Sequence, residues 1–183
     1  MRRRAAAAVI LIALAGLAAA GRAGAIAITG TVTGGAALSV SSTGSPSFGL
    51  TLNGVDQTVS YTLPAQAIDP RGSGAGWNLT VTSTQFNDGS GHTFPTTASS
   101  ITAASNVCGA SSTCTTATNS VSYASLTLPS GPTAPAAVKF FNAAANTGMG
   151  KMDVSATVAV AVPANAFAGT YSSTVTVSIV SGP

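Results

Sequence analysis

Residues 76–82 read G-W-N-L-T-V-T, and apolar and polar side chains alternate along them with the period of a β-strand. Trp77, Leu79 and Val81 share one face of this predicted strand, and the intervening amide and hydroxyl side chains share the other. Glycines at every second position of residues 72–76 predict a turn that leads into the strand. Trp77 is the only tryptophan of the chain, so it is either central to the core or the centre of a binding site. The face that it shares with Leu79 and Val81 favours the core, and the sequence leaves the binding alternative open.

The same alternation recurs along the rest of the chain. It is clearest from Met152 to Val162, where every second residue is apolar and predicts the buried face of a long strand. Residues 58–63 also alternate, and Pro64 is expected to end that strand. The least regular pattern lies at residues 87–120. Further strands are predicted at residues 26–33 with a continuation at 37–40, and at 48–52, 77–84, 121–128, 137–141 and 171–180.

No segment outside the N-terminus repeats with the period of a helix, and turn residues separate the short strands. This pattern is typical of a sandwich or a barrel. Residues 163–169 join the last two long strands, either as a hairpin or as a pair that connects two sheets. We therefore predict a single-domain, all-β sandwich of the immunoglobulin-like class.

Residues 1–25 have the features of a secretory signal peptide. Three arginines precede the apolar run Ala5–Ala20, and Ala23-Gly24-Ala25 is a suitable cleavage site. A membrane anchor is the alternative, but the run is shorter than the roughly 20 residues of a membrane span, and it consists mostly of alanine. We expect cleavage after Ala25, or after Ala20, so that residues 26–183 form the domain and no stable membrane span remains.

Charge is scarce once the predicted signal peptide is set aside. The full chain has a formal net charge of +3, but most of its basic residues are the arginines of the signal region. The three basic residues that remain are opposed by four scattered aspartates, which gives the domain a net charge of −1. Binding to phosphate needs clustered lysine and arginine, so this composition excludes nucleic acid as a partner.

The sequence offers few residues for catalysis. It contains one histidine, no glutamate and four separated aspartates. A serine–histidine–aspartate site would have to use His92, which lies among Gly, Ser and Thr and is expected in an exposed loop. No two aspartates are spaced in a way that suggests the paired carboxylates of a glycosidase. We predict no catalytic residue, no enzymatic activity and no cofactor.

The two cysteines, Cys108 and Cys114, are separated by five small residues. In an exported chain this pair predicts a small loop closed by a disulfide. A metal-binding pair is the alternative, but it would need further ligands, and His92 is the only histidine. We expect the disulfide and no metal site.

The sequence also bears on how the exported product is held outside the cell. No cysteine follows the predicted signal peptide as an acceptor for a lipid. The sequence closes on Ser181-Gly182-Pro183, without a hydrophobic tail or a covalent sorting motif. We expect the product to be free, or to be held non-covalently to a surface or a partner.

Two regions of the chain resemble the WxL domain of bacterial surface proteins, a family named for two Trp-x-Leu motifs. Residues 69–86, which include Trp77-Asn78-Leu79 after a glycine-rich turn, are similar to its first motif region. Residues 163–183 are similar to its last region, in which the second motif lies on the final strand. The second motif would fall at Val177-Ser178-Ile179, where valine replaces tryptophan and isoleucine replaces leucine. Shorter family-like stretches are Phe140-Phe141-Asn142-Ala143, Thr147-Gly148-Met149-Gly150 and Gly169-Thr170-Tyr171.

The resemblance implies an exported, all-β, non-catalytic domain that attaches non-covalently to the cell wall. Peptidoglycan is the implied target, and companion surface proteins are the implied partners. Two functions are therefore carried forward: a wall-binding module, or a structural or partner-binding subunit that assembles through strand edges. The candidate binding residues are Trp77, Asn78, Leu79 and Tyr171.

Overall fold

The computed structural model describes residues 28–42 and 44–183 of the chain, and β-strands are the only regular elements among them. Residues Thr33–Pro183 form one compact unit, and the described residues before Thr33 belong to a separate unit and lie in no strand. The predicted signal peptide lies outside the described residues. The strands of the described part are, in chain order, β1 Ser39–Ser42, β2 Gln57–Asp69, β3 Trp77–Thr84, β4 Ser99–Cys108, β5 Leu126–Thr127, β6 Ser130–Gly131, β7 Val138–Ala143, β8 Gly150–Val162 and β9 Val175–Ser181.

These strands form two sheets. The first has the order β1-β2-β8-β4-β5 and is built on the antiparallel pair of β2 and β8, which align over 13 residues each. In the second sheet β3 is central. Strand β9 pairs with residues 77–83 of β3, strand β7 pairs with residues 77–81 of β3, and β6 makes a short parallel contact with residues 83–84 of β3. The two sheets pack as a sandwich around one core, which confirms the predicted all-β sandwich class.

The core between the sheets comes largely from alternate residues of their strands. On β8 the alternate apolar residues from Met152 to Val162 are at most 4% exposed. On β3 the side chains of Trp77, Leu79 and Val81 are 0% exposed. The alternation of these two strands therefore predicted their buried faces correctly.

The last two long strands lie in different sheets, because β8 belongs to the first sheet and β9 to the second. Of the two predicted connections, the structure thus shows the pair that connects two sheets. The regular part of β9 begins at Val175 and not at the predicted Tyr171, although an isolated bridge joins the neighbouring Ser172 to Asn87.

The prediction that Pro64 ends its strand is wrong. Strand β2 continues through Pro64, which lies opposite Ser155, and ends at Asp69. A proline lacks the N–H of a ladder hydrogen bond and is tolerated where a strand edge is open. Among the described residues, β1 pairs with residues 65–68 of β2, and this pairing does not include Pro64.

Three further strand predictions are corrected by the structure. Residues 28–33 and 48–52 lie in no strand, because alternation alone does not form a ladder and none of the described strands pairs with them; residues 26–27 lie outside the described part. Of the predicted strand at 121–128 only the two residues of β5 remain. Strand β4 was missed in the irregular stretch 87–120, because a register shift between Ile101 and Ala103 breaks its alternation.

Candidate functional site at the aromatic end of the sandwich

Trp77 is a core residue in this structure. Its side chain is 0% exposed, and its Nε1–H donates a hydrogen bond to the carbonyl oxygen of Gly148 over 2.8 Å. Its ring packs against the ring of Phe141, with a centroid separation of 5.9 Å. Gly148 has a φ of +73°, and a Cβ added there would lie 2.7 Å from the indole Nε1, so only glycine fits against the tryptophan. Both the flat face and the polar atom of Trp77 are therefore already used inside the fold.

The two regions of the family resemblance lie on neighbouring strands. In the pairing of β3 with β9, Leu79 lies opposite Ile179 and Val81 lies opposite Val177. The leucine is fully buried, whereas Val177 and Ile179 are half-buried and pack against the core. Asn78 is half-buried, and its Nδ2 donates to the carbonyl oxygen of Gly182 over 2.9 Å. The valine and isoleucine at the position of the second motif thus pack β9 against β3 and the core.

An ion pair clamps the turn before Trp77. The Arg71 guanidinium donates to both carboxylate oxygens of Asp69 at 2.8 and 2.9 Å, and the Asp69 side chain is 1% exposed. The side-chain hydrogen bonds from Arg71 lower the pKa of Asp69, against a smaller opposing effect of burial. Arg71 also donates to the carbonyl oxygen of Gly76 and to the hydroxyl of Ser181 at the end of β9. We refer to this part of the sandwich, with Trp77, Asp69, Arg71 and Gly148, as the Trp77 end.

The other end of β3 leads into an open groove of about 1010 Å³. Its walls include residues 44–52, which connect β1 and β2, and residues 166–175, which lead into β9. Many of its other side chains are serine and threonine, and none of the described residues that line it is charged. We call this the aromatic groove, after the rings that line it: Phe48, Tyr61, Phe86, Phe94, Phe167 and Tyr171.

Five of these rings form a continuous row. Phe48 contacts Tyr61 and Phe86 with centroid separations of 6.1 and 5.7 Å. Phe86 contacts Phe94 at 5.7 Å, and Phe94 stacks on Tyr171 at 4.2 Å. Tyr61 and Phe94 are buried, whereas the other three rings are half-buried. The row is therefore anchored in the core and reaches the surface of the groove.

The sixth ring, Phe167, is the most exposed aromatic side chain of the described residues, at 62%. It stacks on the imidazole of His92, with a centroid separation of 3.8 Å and an angle of 17° between the planes. His92 Nδ1 lies 2.6 Å from Asp88 Oδ2, and the Tyr171 hydroxyl donates to the carbonyl oxygen of Phe167 over 3.1 Å. Contacts on two sides thus hold the Phe167 segment in place.

The apolar surface of the groove extends beyond its rings. Leu50 and Leu52 are each 37% exposed, so three of the large apolar side chains that the described residues expose lie in this one groove. Burial raises the pKa of Tyr61 to about 12, so this phenol is neutral at ordinary pH. An apolar, uncharged concave surface with hydroxyl groups at its margin suits a neutral ligand that has both apolar and hydrogen-bonding faces.

The structure separates the four candidate binding residues. Tyr171 lies in the aromatic groove, whereas Trp77, Asn78 and Leu79 lie at or near the Trp77 end, and two of these three are fully buried. A binding role for any of the four stays a prediction. Sequence reasoning missed the phenylalanines of the groove, although Phe86 and Phe94 flank a turn in an otherwise aromatic-poor chain.

The cysteines form the predicted disulfide. Cys108 and Cys114 are bonded, with their Cα atoms 5.5 Å apart, and the loop between them lies beside the start of β8. Among residues 28–42 and 44–183 there is no helix with the length and apolar character needed to cross a membrane.

The fold and the groove define a class of protein: an all-β sandwich domain with an open, uncharged and partly aromatic groove at one end. A model of the WxL domain, described as a surface cell wall-binding domain, matches residues 40–183. This match covers most of the described sandwich, and the chain belongs to the WxL family. It is therefore a cell-surface protein that is associated with the cell wall. Neither the curated proteins nor the solved structures contain a match to this chain.

Proposed function

We propose that this domain binds peptidoglycan non-covalently through the aromatic groove, and that it acts by binding alone, without catalysis. The observation that carries the proposal is the composition of the groove: six of the ten aromatic residues of the chain line it, and its described lining is uncharged. Membership of a family of surface cell wall-binding domains supports the same ligand class. A wall polysaccharide presents apolar C–H faces together with hydroxyl and amide groups, which matches a lining of rings and hydroxyls.

The Trp77 end is the less suitable surface for this task. Trp77 and Leu79 expose no side-chain area, and the indole N–H already donates to Gly148. A ligand could reach either side chain only if β3 separated from the core, which would sacrifice much of the packing of the second sheet. We infer that the first motif holds β3 and β9 together and that Tyr171, from the last region, lies on the binding surface.

The test is sedimentation with purified sacculi, the insoluble peptidoglycan of whole cells. Ala168 is exposed in the groove and Ala110 is exposed in the disulfide loop, so Ala168→Glu places a charge in the groove and Ala110→Glu is the matched control. We expect the wild type and Ala110→Glu in the pellet, and binding by Ala168→Glu reduced about tenfold, because an unpaired carboxylate in an apolar groove opposes a neutral ligand. A wild-type protein that stays in the supernatant would refute the proposal, and equal pellets of all three proteins would refute the role of the groove.

A second candidate is a subunit that binds companion surface proteins by strand addition. It is favoured by β9, because within the described part of the chain the edge of β9 away from β3 has no strand partner, and Val180 on this strand is 51% exposed. An open edge is a template for another strand. Size-exclusion chromatography with light scattering tests self-assembly, and a strict monomer leaves only a different protein as the partner.

A further inference from the structure

Phe167 is an exposed aromatic side chain whose position is nevertheless fixed. The residue is 62% exposed, yet its ring lies nearly parallel to the His92 imidazole at a centroid separation of 3.8 Å. One face of the ring is therefore covered by His92, and the exposed area belongs to the rest of the ring. An exposed ring that is already ordered loses less conformational freedom when it binds a ligand than a mobile ring does.

The imidazole behind Phe167 is itself held by Asp88. The Asp88 side chain is 8% exposed, and its Oδ2 lies 2.6 Å from His92 Nδ1. Its Oδ1 accepts hydrogen bonds from the backbone N–H groups of Ser90 at 2.8 Å and of His92 at 3.0 Å. Both oxygens of the carboxylate are thus used within one turn, which fixes the imidazole relative to the backbone of residues 88–92.

The neighbouring ring, Tyr171, is supported in the same way. It stacks on the buried Phe94 with a centroid separation of 4.2 Å, and its hydroxyl bonds to the backbone of Phe167. Backbone hydrogen bonds between Asn87 and Ser172, 3.0 Å in each direction, tie this segment to the turn that carries Asp88. The segment therefore presents two supported rings to the groove.

We propose that Phe167 is the stacking platform for a sugar ring of the peptidoglycan glycan chain, and that His92, held by Asp88, is its positioning residue. This inference rests on the proposed function and specifies which part of peptidoglycan is bound. The glycan chain consists of N-acetylated sugars, whose pyranose rings have an apolar face for an aromatic ring and an acetamido group and hydroxyls for Ser and Thr. The stem peptides carry free carboxylates, and the described lining of the groove has no charged side chain to pair with them.

The probes are the linear tetramer of N-acetylglucosamine, which is neutral, and isolated stem peptides, each titrated by calorimetry. We expect the tetramer to bind and the stem peptides not to bind. Phe167→Ala should weaken glycan binding about tenfold and His92→Ala about threefold. The matched control is Val107→Ala, because Val107 is also 62% exposed but lies next to the disulfide, and we expect it to bind as the wild type does.

A spectroscopic variant separates positioning from mere structural support. Phe167→Trp keeps a stacking ring, and quenching by acrylamide reports on the new indole because Trp77 is fully buried. We expect Phe167→Trp to retain glycan binding and to be protected from quencher by the tetramer. The protection should be lost when His92→Ala is added.

The possible failures of the two proposals differ. If sacculi pellet the protein but it binds stem peptides and not glycan, the inference is wrong and the proposed function stands. If Phe167→Ala binds glycan as Val107→Ala does, the assignment of Phe167 is wrong. If the wild type does not bind sacculi, the proposed function itself is wrong.

Discussion

The two ends of the sandwich use aromatic residues in opposite ways. At the Trp77 end a single indole is fully buried, with its N–H bonded to Gly148 and a salt bridge beside it. At the other end a row of rings runs from the core to the surface, and Phe167 is 62% exposed. Buried rings with satisfied polar atoms contribute to the stability of the fold, whereas ordered rings on a concave surface are available to a ligand. On the function proposed above, the residue that names the family motif stabilises the fold, and residues outside that motif bind the ligand.

The largest change in stability is expected at Trp77. Trp77→Ala removes a fully buried side chain and should lower the free energy of unfolding by about 3–5 kcal/mol, measured by urea denaturation. Trp77→Phe keeps most of the packing but leaves the Gly148 carbonyl without its donor, at a cost of about 1–3 kcal/mol. The folded Trp77→Phe protein should still pellet with sacculi. Loss of binding by this folded variant would reverse the comparison and place the binding site at the Trp77 end.

The next effect is expected at the ion pair. Asp69→Asn should lower the free energy of unfolding by about 2–3 kcal/mol. This loss is smaller than that expected for a fully buried ion pair, because the Arg71 side chain is 20% exposed. The pKa of Asp69 is lowered in the folded state, so its stabilisation is present above the unfolded-state pKa of 3.8 and is lost as the pH falls through the lower folded-state pKa. Thermal melts should show the wild type losing its advantage over Asp69→Asn as the pH falls below about 4. Parallel pH profiles of the two proteins would contradict this role.

The disulfide is expected to contribute less. The bond between Cys108 and Cys114 closes only a short loop, so its reduction should lower the free energy of unfolding by about 1–2 kcal/mol. The double variant Cys108→Ser with Cys114→Ser should melt at the same temperature as the reduced wild type. Sacculus binding should not change, because the loop lies beside the start of β8 and not in the groove. A fall in binding on reduction would show that the groove does not act alone.

The smallest change in stability is expected at Phe167, together with a clear change in binding. Because the side chain is mostly exposed, Phe167→Ala should alter the free energy of unfolding by no more than about 0.5 kcal/mol. Glycan binding should nevertheless fall about tenfold. Substitution of Trp77 is expected to change stability more than binding, whereas substitution of Phe167 is expected to change binding more than stability. Measuring Trp77→Phe and Phe167→Ala by urea denaturation and by binding tests the comparison directly.

The sequence predicted the regular strands better than it predicted the groove. The buried faces of β3 and β8 follow from an uninterrupted alternation of apolar and polar residues. Strand β4 was not predicted, because the register shift at Ile101 breaks its alternation. The local sequence at Pro64 predicts a strand end, whereas the pairing of β2 with β8 carries the strand through it, and only the folded sheet shows that pairing. Local patterns report on a strand and its faces but not on its neighbours.

The groove could not be assembled from the sequence for a related reason. Its rings come from four separate stretches of the chain, near residues 48, 61, 86–94 and 167–171, and they meet only when both sheets have formed. Tyr171 is the one ring of the groove that the sequence indicates, because it lies in the last region of the family resemblance. The opposition of Leu79 and Ile179 likewise depends on the pairing of β3 with β9, which the spacing of the motifs does not reveal.

The contact between Trp77 and Gly148 has a consequence for how this domain can vary. The two positions are 71 residues apart in the chain, but a side chain at position 148 would occupy the space of the indole. A Cβ at position 148 would also clash with the Cβ of Ala143, and the φ of +73° favours glycine, so position 148 requires glycine even beside a smaller ring. We expect homologous chains to keep this glycine, and a library that randomises positions 77 and 148 should recover glycine at position 148 in its stable members.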